Sequence, residues 1–244
     1  MAITPERTNV VILGDSLTWL GGDDCSKARG WNRWFREAFH PLTCRSYARS
    51  GATWTNTEAT ALDTVENIGR LGDNNVVFNQ VKRLEGAVAS AHQATPDLIL
   101  IALGTNDAWF PKDRPDAYKC TPDSALATLP AYADAAPSDV RTLSQSVMYI
   151  THMLSRDYPE ARIVLITPPQ TTAVTLEKIH QTGDIIEACG KLLGLQVIRM
   201  DRLGAIQRKQ ELVRKTHTYD GTHTNERGAR RNGELIAREV ARGH

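Results

Sequence analysis

The chain has 244 residues, 41% of them hydrophobic and 23% charged, and carries a formal net charge of +1. That length and balance suit a globular fold with a sizeable core and exclude a disordered chain. A charge so close to zero leaves no footprint for nucleic acid or an anionic membrane surface, so neither is expected as a partner.

Read from the N-terminus, Met1 to Asn9 is polar, without an apolar leader, and no later run reaches membrane length. A cytoplasmic chain is the expectation, although a trimmed secreted protein would read the same. Val10–Leu13 then forms a first apolar run, followed at once by Gly14-Asp15-Ser16-Leu17. A weaker strand is predicted over Arg45–Ala48, ahead of Ser50-Gly51-Ala52. Phe78, Val81, Leu84, Val88 and Ala91 recur at the three- and four-residue steps of one helix face. Leu98–Leu103 reads as the next strand and leads into Gly104-Thr105-Asn106-Asp107.

The rhythm breaks between Ala108 and Pro137, where five prolines and scattered tyrosines show no periodicity. A long irregular loop over 108–137 is expected, able to serve as a lid to which Phe110 and Tyr118 contribute. Beyond it, Val140, Leu143, Val147, Ile150 and Leu154 mark a helix, Ile163–Thr167 a strand, and Leu176, Ile179, Ile186 and Leu193 a helix interrupted by Gly183 and Gly190. Gln196–Met200 is the last strand. Asp220-Gly221-Thr222-His223 precedes a final helix over about Glu226 to Arg242, capped by Thr224 or Asn225. Its arginines (Arg227, Arg230, Arg231, Arg238 and Arg242) alternate with Glu226, Glu234 and Glu239, as a solvated face would.

The strands are continuous apolar runs rather than alternating ones, which predicts burial on both faces. Five of them in βαβα order predict one domain over residues 1–244, a three-layer α/β/α sandwich around a mostly parallel five-stranded sheet. Cys25, Cys44, Cys120 and Cys189 form no C-x-x-C pair, and a chain of this length needs no disulfide staple. Free thiols are expected, with a Cys25–Cys44 bridge as the alternative.

Ligands of open parallel sheets bind beyond the carboxyl ends of the strands, so the four polar segments should converge. Each can take a task there. Ser16 needs a base to become nucleophilic, and His223 can accept its proton. Asp220 can hold the other imidazole nitrogen and balance the cation that forms. The N–H groups of Ser16 and Gly51 and the side-chain amide of Asn106 can donate to an oxyanion.

These blocks resemble those of the SGNH hydrolases, the GDSL esterases and lipases. The matching residues are Ser16 in Gly-Asp-Ser-Leu, Gly51, Asn106 in Gly-Thr-Asn-Asp, and His223 in Asp-Gly-Thr-His, with Asp220 completing a triad. The resemblance spans residues 14 to 223 and implies a flavodoxin-like fold and an acyl-serine mechanism; no cofactor or metal is expected, because the oxyanion donors and triad need neither. Gly51 matches only by position and a flanking serine. The reading is a serine esterase acting on a small-molecule ester, foremost an acetyl ester of a sugar or similar polar alcohol. A lysophospholipase or thioesterase, or a noncatalytic carbohydrate-binding relative, are the alternatives.

Rival chemistries use the same segments. His217, Asp220 and His223 fall at three-residue steps and could hold zinc, but this leaves Ser16 and Asn106 without roles. A carboxylate pair drawn from Asp15, Asp107 and Asp220 explains neither the serine nor the amide. Asp15 and Asp107 are instead expected to anchor loops through backbone N–H groups. Trp19, Trp54 and Trp109 each lie three residues beyond Ser16, Gly51 and Asn106, so three indoles could wall the site or pack beneath its loops.

Overall fold

The computed structural model describes residues 4–65 and 75–243; the first three residues of the polar N-terminus and the last residue of the expected single domain lie outside them, as do 66–74. Five strands, β1 (Asn9–Gly14), β2 (Thr43–Ser46), β3 (Leu98–Ala102), β4 (Arg162–Ile166) and β5 (Gln196–Ile198), form one sheet in the order β2-β1-β3-β4-β5. Every pairing in it is parallel. In chain order the helices are α1 (Ser16–Trp19), α2 (Trp31–Phe39), α3 (Val77–Ala89), α4 (Thr105–Trp109), α5 (Pro122–Tyr132), α6 (Leu143–Asp157), α7 (Leu176–Leu192), α8 (Met200–Leu203), α9 (Arg208–Val213) and α10 (Glu226–Arg242).

The central strands are apolar throughout because successive side chains enter different layers. Val10, Ile12, Leu98, Leu100, Val164 and Ile166 pack with α2 and α10. Val11, Leu13, Ile99, Ile101, Ile163 and Leu165 pack with α3, α5, α6 and α7. Both faces of the sheet are covered, which gives the three-layer α/β/α architecture.

Several expected boundaries move, each for a local reason. The second strand lies at Thr43–Ser46, earlier than Arg45–Ala48: its register with β1 ends at Ile12 opposite Ser46, and beyond it only the Tyr47 and Arg49 N–H groups still reach β1 carbonyls, at 2.8 and 3.1 Å. Val140 is buried but precedes α6, whose cap is Thr142; its side chain accepts from the Gln145 N–H. Ala91 falls beyond α3 in the left-handed region, at φ 59°. Met200 begins α8 rather than ending β5. Helix α2 has no counterpart in the sequence reading, although Trp31, Phe35 and Phe39 recur every four residues and are buried.

The segment 108–137 is corrected most. It contains α5, which starts at Pro122 behind a Thr121 cap and buries Ala125 and Tyr132 against the α6–α7 layer. Proline at the first helical position lacks an N–H that would have no helical partner anyway, so it starts a helix rather than breaking one. Tyr118 is no lid residue either: its hydroxyl is 2.8 Å from Thr182 Oγ1 on α7.

Gly183 and Gly190 lie inside α7 without ending it. At Gly190 the helix runs so close to β5 that a Cβ would fall 2.3 Å from Val197 Cγ2. Asn225 caps α10 by accepting from the Gly228 N–H, and Arg230–Glu234 and Arg242–Glu239 pair along its exposed face at 2.9 and 2.7 Å. The thiols of Cys25 and Cys44 are free, with their sulfurs 3.6 Å apart. Among the described residues no helix is long and apolar enough to cross a membrane.

The strand order reverses direction between β1 and β3. Chains leaving these neighbours diverge and open a crevice at their carboxyl ends, the usual ligand position in such sheets.

Candidate active site

The serine is delivered by the exit from β1. Gln80 of α3 brackets Gly14, accepting its N–H at 2.9 Å and donating to its carbonyl at 2.8 Å. Asp15 then caps α1 by accepting from the Leu17 N–H at 3.0 Å. Burial pushes the Asp15 carboxyl up to about 6, against the lowering effect of that hydrogen bond. Ser16, the first residue of α1, remains 9% exposed.

The histidine comes from the turn before α10. Asp220 Oδ1 accepts the N–H groups of Thr222 and His223 at 2.9 and 2.7 Å. Its Oδ2 lies 2.6 Å from His223 Nδ1, and His223 Nε2 lies 3.0 Å from Ser16 Oγ. Pairing with a carboxylate places the proton on Nδ1 and leaves Nε2 as an acceptor. Burial pushes Asp220 up, but the hydrogen bonds from His223 and the Thr222 backbone outweigh it and hold the carboxyl below its usual range. Tyr219 stacks on the His223 ring at 5.9 Å, and the Arg29 guanidinium covers the tyrosine at 4.0 Å.

The remaining blocks are joined by one carboxylate. Asp107 accepts from the Trp54 and Thr55 backbone N–H groups at 3.0 and 2.9 Å, and from the Thr55 hydroxyl at 2.7 Å. This ties the loop after β3 to the loop after β2. Asn106 donates one amide hydrogen to the Ala52 carbonyl at 2.8 Å, which fixes the plane of the amide and leaves its second N–H available. Gly51 has φ 76°, a left-handed value that glycine adopts without strain.

Ser16, Gly51, Asn106, Trp109 and His223 line one open cleft of about 480 Å³. Phe110 joins them, its ring stacked on Trp109 at 5.6 Å and 38% exposed. The other two indoles do not reach it. Trp54 is fully buried in the core, and Trp19, at the end of α1, lies outside the lining. Position three residues after a polar block therefore has no common geometric meaning, because the three blocks continue differently.

The zinc reading does not survive. The buried His217 ring faces Glu211 at 3.5 Å and Arg231 at 3.2 Å rather than converging with Asp220 and His223. No group of three or more potential ligands converges among the described residues. Asp15 and Asp107 are buried and engaged with backbone N–H groups, so they do not flank the cleft as a carboxylate pair.

A family model described as the GDSL-like lipase/acylhydrolase family matches residues 12–231 of this chain. The chain belongs to the GDSL-like lipase/acylhydrolase family. Its fold is also that of solved GDSL-type proteins. It is similar to a possible lipase from Chitinophaga pinensis, at 18% identity, 97% of both chains covered and TM-score 0.57. It is similar to the lipase/acylhydrolase from Enterococcus faecalis, at 17% identity, 96% of this chain and 95% of that one covered, and TM-score 0.53. A carbohydrate acetylesterase family member from Sinorhizobium meliloti matches at 18% identity, 96% and 99% coverage, and TM-score 0.54. No curated protein matches the chain significantly.

In this GDSL-family chain, Arg114 and Asp113 also line the cleft, and the sequence reading passed over both. Arg114 is only 8% exposed and donates to Thr53 Oγ1 at 3.0 Å. No spacing rule finds such a residue inside an irregular segment. Tyr219 was missed too, although its place directly before Asp220 was a usable cue.

Proposed function

We propose that the protein is a serine esterase that hydrolyses a short acyl ester, foremost acetyl, of a carbohydrate or similar polar alcohol. The observation that carries this reading is the continuous chain from Asp220 through His223 to the Ser16 hydroxyl, with contacts of 2.6 and 3.0 Å. Ser16 Oγ attacks the ester carbonyl carbon while its proton passes to His223 Nε2. Asp220 keeps the imidazolium oriented and balances its charge. The carbonyl oxygen becomes an oxyanion that accepts from the Ser16 and Gly51 backbone N–H groups and the second Asn106 N–H. Collapse breaks the bond to the alcohol oxygen, which leaves with the proton from Nε2. Water then attacks the acyl-serine, giving up its proton to His223. The free acid departs and Ser16 regains its hydrogen.

Two features support a short acyl group and a polar alcohol. The cleft combines an aromatic pair, Trp109 and Phe110, with the charged Asp113 and Arg114, a mixture suited to sugar faces and hydroxyls rather than to a long alkyl chain. The Sinorhizobium neighbour, a carbohydrate acetylesterase family member by its description, points the same way.

A panel of chromogenic esters, with Ser16→Ala as control, tests the reading. Acetate should be cleaved faster than octanoate, and the variant should be inactive. An octanoate preference of about tenfold, some 1.4 kcal/mol of transition-state binding, would favour a lysophospholipase or thioesterase instead. A protein that no fluorophosphonate labels would be a binding relative.

A further inference from the structure

The cleft at Ser16 does not end at Phe110. Asp113 and Arg114 also line a second groove, of about 620 Å³, on its far side. One wall of this groove is Asn56–Ala59 and the other is Asp113–Asp116. Arg141 ties the two walls together, pairing with Glu58 on one and standing 3.7 Å from Asp116 on the other. Asn56 is held from behind by its donation to the Val140 carbonyl at 2.9 Å. The groove thus adjoins the reactive cleft across Asp113 and Arg114, with Arg141 holding its two walls.

Resting on the esterase reading above, we propose that the substrate is an ester of a neutral oligosaccharide. The ester-bearing ring sits beside Trp109 and Phe110, and the next ring or rings occupy the groove between Asn56–Ala59 and Asp113–Asp116. Three features select this class. The aromatic pair at the junction is parallel, with an interplanar angle of 3°, and offers an apolar face to a pyranose ring. Beyond it the lining turns mostly to amide, hydroxyl, carboxylate and guanidinium groups, which hydrogen-bond hydroxyls and leave a lipid chain only Ala59 and Pro115 as apolar side chains to meet. Glu58, Asp113 and Asp116 share the lining with Arg114 and Arg141, so the groove carries a slight negative excess and disfavours a polyanionic chain.

The test compares acetylated mono-, di- and trisaccharides carrying the same ester, with 4-nitrophenyl acetate alongside. kcat/KM should rise about tenfold from mono- to trisaccharide, the worth of roughly 1.4 kcal/mol of added contact. Ala59→Trp, at an exposed position in the groove wall, should reduce the tri- to monosaccharide ratio by about the same factor. Arg141→Ala, which releases the two walls, should reduce it too, with thermal melting reporting that both variants fold. A flat series in the parent protein, an unchanged ratio in both variants, or a preference for uronic-acid oligomers would overturn the proposal while leaving the esterase reading intact. Failure to cleave any of the esters would overturn both.

Discussion

Glu211 Oε2 accepts from both the backbone N–H and the hydroxyl of Thr218, at 3.2 and 2.6 Å. Its other oxygen accepts the N–H groups of Thr216 and His217 at 3.2 and 2.9 Å. Thr218 Oγ1 in turn accepts the Gly221 N–H at 2.9 Å, so this carboxylate organises the turn that presents Asp220 and His223. It is 1% exposed, and burial pushes its pKa up, but the four hydrogen bonds prevail and hold it below the usual range. Glu211→Gln removes the charge that all four donors face and should cost about 2 kcal/mol in stability. The sign with pH follows from linkage. A carboxyl whose folded pKa is depressed stabilises fully above its unfolded value of about 4 and loses that contribution as pH falls through the folded value. Urea melts at pH 7 and pH 3 should show a large gap between parent and variant at pH 7 and a smaller one at pH 3. Equal gaps would contradict the arrangement.

On the proposed mechanism, Ser16→Ala removes the hydroxyl that lies 3.0 Å from His223 Nε2 and should lower kcat on a chromogenic acetate by about 10⁵- to 10⁶-fold. The site is nearly buried, and the change deletes a single oxygen, so the melting temperature should hold within a few degrees. Fluorophosphonate labelling, followed by intact mass, should disappear with activity. A variant that keeps a tenth of the parental rate would remove the serine from the mechanism.

How much of this was legible in the sequence depends on where the information lies. Val10–Leu13 and Leu98–Leu103 read correctly as buried strands because each is apolar without interruption and ends at a polar block. Ser16, Asn106, Asp220 and His223 were legible as candidates because each block contains a dense set of hydrogen-bonding residues beside such a strand or before the last helix. Helix α5 was not, because its segment carries five prolines and shows no apolar periodicity, although Pro122 occupies the first turn of the helix. The tryptophans failed for another reason. Trp54 is pinned inward when Asp107, distant in sequence, captures its backbone N–H. Tertiary hydrogen bonds of that kind leave no periodic trace. Arg114 and the groove beyond it belong to the same class, since their meaning arises only when the segments at 53–59 and 113–116 are brought together.

Asn106→Ala tests the third block. The tether from its amide to the Ala52 carbonyl leaves a second N–H for the cleft that Ser16 also lines, where on the proposed mechanism negative charge develops in the transition state but not in the resting ester. A donor of that kind raises kcat rather than lowering KM. The variant should lose about 10²- to 10³-fold in kcat with KM changed by less than about threefold. Stopped assays at saturating and limiting acetate separate the two constants. A loss confined to KM would make Asn106 a substrate-binding group instead.

Asp15 gives a pH signature of opposite sign to that of Glu211. Burial raises its folded pKa to about 6, whereas the unfolded carboxyl gives up its proton near 4, about the model-peptide value. Between those values the folded protein binds more protons than the unfolded one, so this residue makes stability fall as pH rises from about 4 to about 6. Asp15→Asn retains an oxygen to accept the Leu17 N–H but removes the ionisation. The variant should therefore gain stability relative to the parent across that interval and hold the gain above it. His217, whose pKa burial and Arg231 push down, titrates in both proteins and cancels in the difference. Urea midpoints measured in half-unit steps from pH 4 to pH 7 read the effect directly. A parent-minus-variant difference that stays flat over this range would mean that Asp15 is already ionised at its buried position and that the neighbouring N–H groups, rather than desolvation, govern it.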